Sequence, residues 1–176
     1  MNATRNLRQR GFTLIEVLVA MVVLAFGVLA LARLIARAGE SEIEAIQRTQ
    51  AITLAQDMVD RINLNRRNAA QYVGDYIPAA VTDCAAAATV YDRDRCQWTN
   101  QLMGTLVVDG TRPIGAPIAA RGCITNPEPN VYIVAVAWQG IVSTEAPDTT
   151  CGQDAFDVEA RRRAFTMLVQ IATLGT

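Results

Sequence analysis

The polarity of the chain changes sharply along its length. Residues 1–11, MNATRNLRQRG, carry Arg5, Arg8 and Arg10 and no acidic group. Residues 12–32, FTLIEVLVAMVVLAFGVLALA, then run on with Glu16 as their single charge. As a helix rising about 1.5 Å per residue, that stretch covers roughly 31 Å, the thickness of a bilayer's hydrocarbon core. Further on, apolar positions recur at helical spacing: Ala51, Leu54, Ala55, Met58 and Ile62 share one face, flanked by Ile52 and Val59. Glu44 with Arg48 and Asp57 with Arg61 stand acid before base, four apart, as on a solvated helix face. With no proline before Pro78, the pattern predicts one helix over 12–67, roughly 84 Å long. Its first half suits a membrane, and its second half must pack elsewhere.

From residue 68 the character changes. Proline-containing runs such as TNPEPN and TEAPDTT read as loops. Between them lie strand candidates at 118–125, 131–138 and 164–172, the last with Phe165, Met167, Val169 and Ile171 alternating with less apolar neighbours. A short helix is expected over 95–103. A long helix followed by an antiparallel sheet describes an α+β domain with the helix laid on one face.

Composition narrows the chemistry. The 176 residues suit one domain plus an appendage. There is no His and no Lys, and the serines are Ser41 and Ser143 alone. Triad hydrolysis, His-ligated zinc, Schiff-base chemistry and the lysine-bearing phosphate loop all need residues that are missing. No enzyme activity, cofactor or metal is expected. A net charge of −1 offers no general field for nucleic acid. The run Arg161, Arg162 and Arg163 reads as a solvated strand end balanced by Asp154, Asp157 and Glu159, and the acidic stretch 148–159 lacks EF-hand ligand spacing. Trp98 and Trp138 read as packing residues.

The basic N-terminus followed by an apolar run has two readings. Ala30-Leu31-Ala32 imitates a conventional signal cleavage site, although such signals have apolar regions of about 7 to 15 residues. The other junction is Gly11-Phe12, ahead of the apolar run. Residues 10–20, RGFTLIEVLVA, resemble the type IV prepilin signature shared by pilins and secretion-system pseudopilins. That resemblance implies cleavage by a prepilin peptidase after Gly11, N-methylation of Phe12, and a pilin-like fold with the apolar helix kept on the mature subunit. It also implies that Glu16 pairs with a subunit's N-terminal amine during filament docking. An ionisable side chain inside a spanning helix is in any case a functional-site hypothesis. The bland reading of Glu16 is a carboxylate near the bilayer edge, favoured by the helix dipole.

Residues 51–66, AITLAQDMVDRINLNR, resemble the corresponding helix of PilV-type minor pilins. The expected protein is therefore a minor pilin of a type IV pilus. Its partners would be other minor and major pilins, the prepilin peptidase, the inner membrane and the pilus assembly platform, with no nucleic acid. Residues 1–11 would be a cytoplasmic leader, 12–67 the helix with its transmembrane part at 12–32, and 68–176 a periplasmic domain. A type II secretion minor pseudopilin shares these features and is the alternative; a membrane-anchored binding or adhesion module, using loops within 83–124, is another. Unlike many major pilins the helix has no proline, and Gly27 and Gly39 are its weak points, each costing about 1 kcal/mol relative to Ala.

The four cysteines, Cys84, Cys96, Cys123 and Cys151, fall where oxidation is permitted, and disulfides are expected. Three connectivities are open; sequence proximity favours Cys84 with Cys96 and Cys123 with Cys151.

Overall fold

A computed structural model describes residues 11–172. Helix α1 spans Leu14–Leu64. A 3-10 segment, Arg66–Tyr72, leads to strand β1, Gly74–Tyr76, and then to helix α2, Val90–Leu102. A small hairpin follows, formed by β2, Val108–Asp109, and β3, Arg112–Pro113. Strands β4, Arg121–Glu128, β5, Val131–Gln139, and β6, Arg162–Gln170, complete the chain. The main sheet is antiparallel throughout, in the order β1-β4-β5-β6. The chain divides into two compact units, Met1–Ser41 and Glu42–Thr176.

In the first unit, residues 11–38 are exposed on every side of the helix. Among the described residues, α1 is one helix long and apolar enough to cross a membrane, with a window of mean hydropathy 2.8. Leader residues 1–10 lie outside the described residues.

In the second unit, α1 lays one face on the sheet. Ala51, Leu54, Ala55, Met58 and Ile62 are each no more than 1% exposed and share a core with Ile124, Val134, Val136 and Val169. Full burial of a side chain the size of Leu54 or Met58 contributes about 1.5–3 kcal/mol. The helix stops at Leu64, short of the residue 67 expected from sequence. Asn65 and Asn68 bond to each other through their side chains at 2.8 Å, and Asn65 also donates to the Tyr72 hydroxyl at 3.0 Å. Asparagine offers the backbone such local alternatives to helix. Buried Tyr72 holds the tightened 3-10 turn in place.

Helix α2 starts earlier than the expected residue 95. Thr89 caps it, accepting from the Asp92 amide at 3.1 Å while its hydroxyl donates to the Asp92 carboxylate at 2.6 Å. The first of these bonds satisfies an otherwise unpaired amide at the helix start, and the second holds the two side chains together. Trp98 of α2 is fully buried, donates its indole N–H to the Leu54 carbonyl at 2.8 Å, and meets Tyr76 edge to face at 4.9 Å. A Cβ on Gly122 of β4 would overlap the Trp98 ring, so glycine is what lets α2 and β4 close together.

The opposite face of the sheet has its own small core of Cys123, Ala135, Ala137, Cys151 and Phe156. Register explains the division. Phe165, Met167 and Val169 pair with Val136, Val134 and Tyr132 on the α1 side, whereas Arg162, Ala164 and Thr166 pair with Gln139, Ala137 and Ala135 on the other.

Candidate functional site

Gly11, Phe12 and Thr13 precede α1 in non-helical conformation. The Thr13 carbonyl accepts from the amides of Glu16 at 3.1 Å and Val17 at 3.3 Å, which starts the helix. Among the described residues nothing lies within 4 Å of a Cβ built on Gly11, and Phe12 is 81% exposed. Glu16 is exposed in the first turn, where the positive end of the helix dipole favours a carboxylate. No side chain of this chain pairs with Glu16 among the described residues. Leu14, Ile15, Leu18 and the apolar positions after them are likewise exposed. An apolar surface of this extent has to be covered by lipid or by other protein.

Both cysteine pairs are bonded. Cys84 is joined to Cys96, fastening the loop before α2 to that helix, with Cα atoms 5.7 Å apart. Cys123 is joined to Cys151 across 5.7 Å between Cα atoms, tying β4 to the loop after β5. No cysteine is free, and the described residues contain no cluster of His, Cys, Asp and Glu that could hold a metal.

A polar network closes the end of the domain core. Arg61 donates to Asp57 at 2.7 Å, to Asp94 at 3.0 Å and to Gln97 at 2.8 Å. Burial works to lower the Arg61 pKa, but the two carboxylates outweigh it and the net shift is upward. The Tyr72 hydroxyl donates to Asp94 at 2.6 Å, and burial together with that bond raises its pKa. Tyr76, buried and donating to the Tyr72 carbonyl, is pushed up to about 12 by burial.

Sequence reasoning missed three functional or anchoring side chains. Glu44 does not pair with Arg48. Its carboxylate accepts from the Ile141 amide at 2.7 Å and the Val142 amide at 3.2 Å, and faces Arg163 at 3.6 Å, where backbone donors and a cation outcompete an exposed helix partner. Arg162 is not solvated but 4% exposed. It pairs with Glu159 and donates to the carbonyls of Thr149, Cys151 and Pro147, so it clamps the loop that carries Cys151. The neighbouring Asp154 and Asp157 form no ion pair with it. Gln47, at the start of the buried face of α1, is 3% exposed.

Residues 6–32 match the family model of the prokaryotic N-terminal methylation motif, and residues 34–102 match that of the type IV pilin Tt1218. No curated protein and no solved structure matches the chain.

Proposed function

Because this chain is a type IV pilin-like prepilin, and pilins are structural subunits processed by a prepilin peptidase that associate with other pilins, we propose that it is a minor pilin of a type IV pilus. Residues 1–11 form the leader, the bond between Gly11 and Phe12 is the cleavage site, and Phe12 becomes the N-methylated N-terminus. Residues 12–32 hold the subunit in the inner membrane as a single span, with residues 68–176 in the periplasm. The same helix then enters the filament. Glu16 pairs with the N-terminal amine of a neighbouring subunit, which fixes axial register in an apolar bundle. The chain carries no catalytic activity. The pilus assembly platform and the other minor and major pilins are its partners.

The observation that carries this reading is the start of α1. An apolar surface exposed all round follows directly on the Gly11–Phe12 bond, and Glu16 is the one charge within residues 12–32. Residues 51–66 favour the PilV-type pilus role over a type II secretion minor pseudopilin through their resemblance alone.

The test is the mass and N-terminal sequence of the mature protein recovered from membranes, followed by deletion of its gene. N-methylated Phe12 and loss of surface pili with secretion intact are expected. A start at Arg33, or an uncut Met1, overturns the prepilin processing. Lost secretion with normal pili transfers the subunit to the pseudopilus.

A further inference from the structure

Strand β6 forms one edge of the main sheet, where β5 is its only neighbour among the described residues. Its nine residues pair with β5 without a register shift. Just beyond the two ends of that ladder, and in the same register, the Gly140 amide donates to the Arg161 carbonyl at 2.7 Å and the Ile171 amide to the Asn130 carbonyl at 2.8 Å. Bonded and non-bonded pairs alternate in an antiparallel ladder, so Arg163, Phe165, Met167 and Val169 turn their main-chain groups to β5. Ala164, Thr166, Leu168 and Gln170 turn theirs outward. Among the described residues no hydrogen bond reaches the outward groups of these four.

A free strand edge is a template for another strand, and soluble proteins blunt it with charge, proline, a bulge or brevity. The run 164–170 has none of these: it contains no charged residue and no proline, holds its register throughout, and spans roughly 20–24 Å at about 3.4 Å per residue. Leu168 on it is 62% exposed, and Thr166 and Gln170 are exposed as well. The chemistry of the edge defines what completes it. A donor and an acceptor at every second residue are met by extended main chain, whereas a hydrocarbon surface offers neither and a helix uses its main-chain groups internally.

We propose that the 164–170 edge binds the edge strand of a neighbouring pilin subunit of different sequence, antiparallel to β6, so that one sheet runs on across two subunits. The proposal rests on the reading of this chain as a pilin. Direction and source follow from topology. Four strands, each antiparallel to the next, make β1 and β6 run in opposite directions. A subunit of the same fold whose helix enters the filament the same way therefore brings its first edge strand to β6 antiparallel. This chain's own β1, Gly74–Tyr76, has three residues and would cover less than half of the run 164–170, so a second copy is the poorer occupant. At the Ala164 end stand Arg161 and Arg48, both exposed and neither in an ion pair among the described residues. Arg48 lines a hollow there with Ala164 and Phe165. A partner strand with a carboxylate at that end gains charge pairing as well.

The experiment places a benzophenone amino acid at Leu168 of the full-length protein, in cells that assemble the filament, and maps the photoproduct by mass spectrometry. A product with a strand at the sheet edge of a different pilin subunit is expected. Thr166→Pro removes one outward N–H and leaves the bonds to β5 in place. It should lower that yield about tenfold, the effect of one lost main-chain hydrogen bond, with the melting temperature of the purified subunit little changed. Gln170→Pro, nearer the strand end, replaces it should Thr166→Pro not fold. A product with lipid, with a helix or with a second copy of this chain overturns the proposal. So does a yield no higher than with the benzophenone at exposed Arg93, or an undiminished yield from a folded proline variant. The mature N-terminus is read from the same cells. N-methylated Phe12 without the strand product sinks this proposal and leaves the pilin reading standing, whereas an uncut Met1 overturns both.

Discussion

Trp98 and Gly122 occupy one another's space: the indole ring of α2 fills the volume that a side chain on β4 would need. The same ring is held by its N–H on the Leu54 carbonyl, so a single side chain links α1, α2 and the sheet. Gly122→Ala forces the ring off this seat and should cost about 1–3 kcal/mol, the usual penalty of overpacking. Trp98→Ala leaves a hole and should cost about 3–5 kcal/mol. Urea denaturation of both variants checks the order.

Glu16→Val keeps the apolar helix and should leave membrane insertion intact, while lowering recovery of the subunit in sheared filaments by about tenfold or more, as expected for a lost charge pair in an apolar setting. Glu16→Asp, which retains the charge, should recover part of that loss. Quantitative immunoblots of membrane and filament fractions measure both.

Arg162→Met removes a buried cation from Glu159 and three carbonyls. A destabilisation of about 3–5 kcal/mol is expected, as for breaking a buried pair by deleting one partner. Limited proteolysis should then open first in the loop around Pro147 and Thr149. Arg162→Lys should not restore it, since one ammonium cannot serve acceptors spread around a guanidinium fork.

The two disulfides should differ in response to reductant. Cys84 and Cys96 are half-buried, whereas Cys123 and Cys151 are 7% and 3% exposed within the second core. Graded dithiothreitol should therefore reduce Cys84–Cys96 first. Removing either bond as a double alanine variant costs about 3 kcal/mol through the loop it closes. The Cys123/Cys151 pair adds the loss of packing against Phe156 and Ala137. Thermal melts of the two variants test the ranking.

Alkaline pH should unfold the domain. Tyr72 and Tyr76 both have raised pKa values in the folded state, Tyr76 near 12 against an ordinary value of 10. Below pH 10 both are protonated, folded or unfolded, and their contribution is fully present. As pH rises above 10 the unfolded chain releases these protons while the folded chain holds them, so stability falls by about 1.4 kcal/mol per pH unit for each tyrosine. Denaturation midpoints between pH 9 and 12 should show that slope, and Tyr76→Phe should flatten it.

The long helix was legible because two signals agreed, apolar periodicity at Ala51, Leu54, Ala55, Met58 and Ile62 and the lack of proline before Pro78. Strand β6 was legible from alternation, and β4 and β5 as strand candidates between proline-containing loops, with boundaries shifted by up to three residues. Strand β1 and the β2–β3 hairpin, at three and two residues each, are too short to carry a period. Their pairing is set by tertiary neighbours, as β1 is by β4. The start of α2 lies in a weaker signal, the capping pair Thr89 and Asp92, with no apolar periodicity to mark it. Arg162 was hidden between two other arginines. Carrying the β6 alternation two residues back from Ala164 would have placed it on the same sheet face as Ala164, opposite Gln139. Gln47 lies on the helical spacing that leads to Ala51 and Leu54, but its polarity masked its burial.

The grip of Glu44 on the far end of the sheet has a mechanical meaning. Tension drawn through α1 from its N-terminal side enters the folded domain at Glu44, whose carboxylate holds the Ile141 and Val142 amides and faces Arg163. Two hydrogen bonds and an ion pair clustered on one side chain share that load and yield together rather than one after another. The pull then passes into β5 and β6, whose nine-residue ladder lies behind the joint. A subunit built this way meets force with its best-bonded strands, and the joint at Glu44 is where single-molecule stretching should register the first resistance.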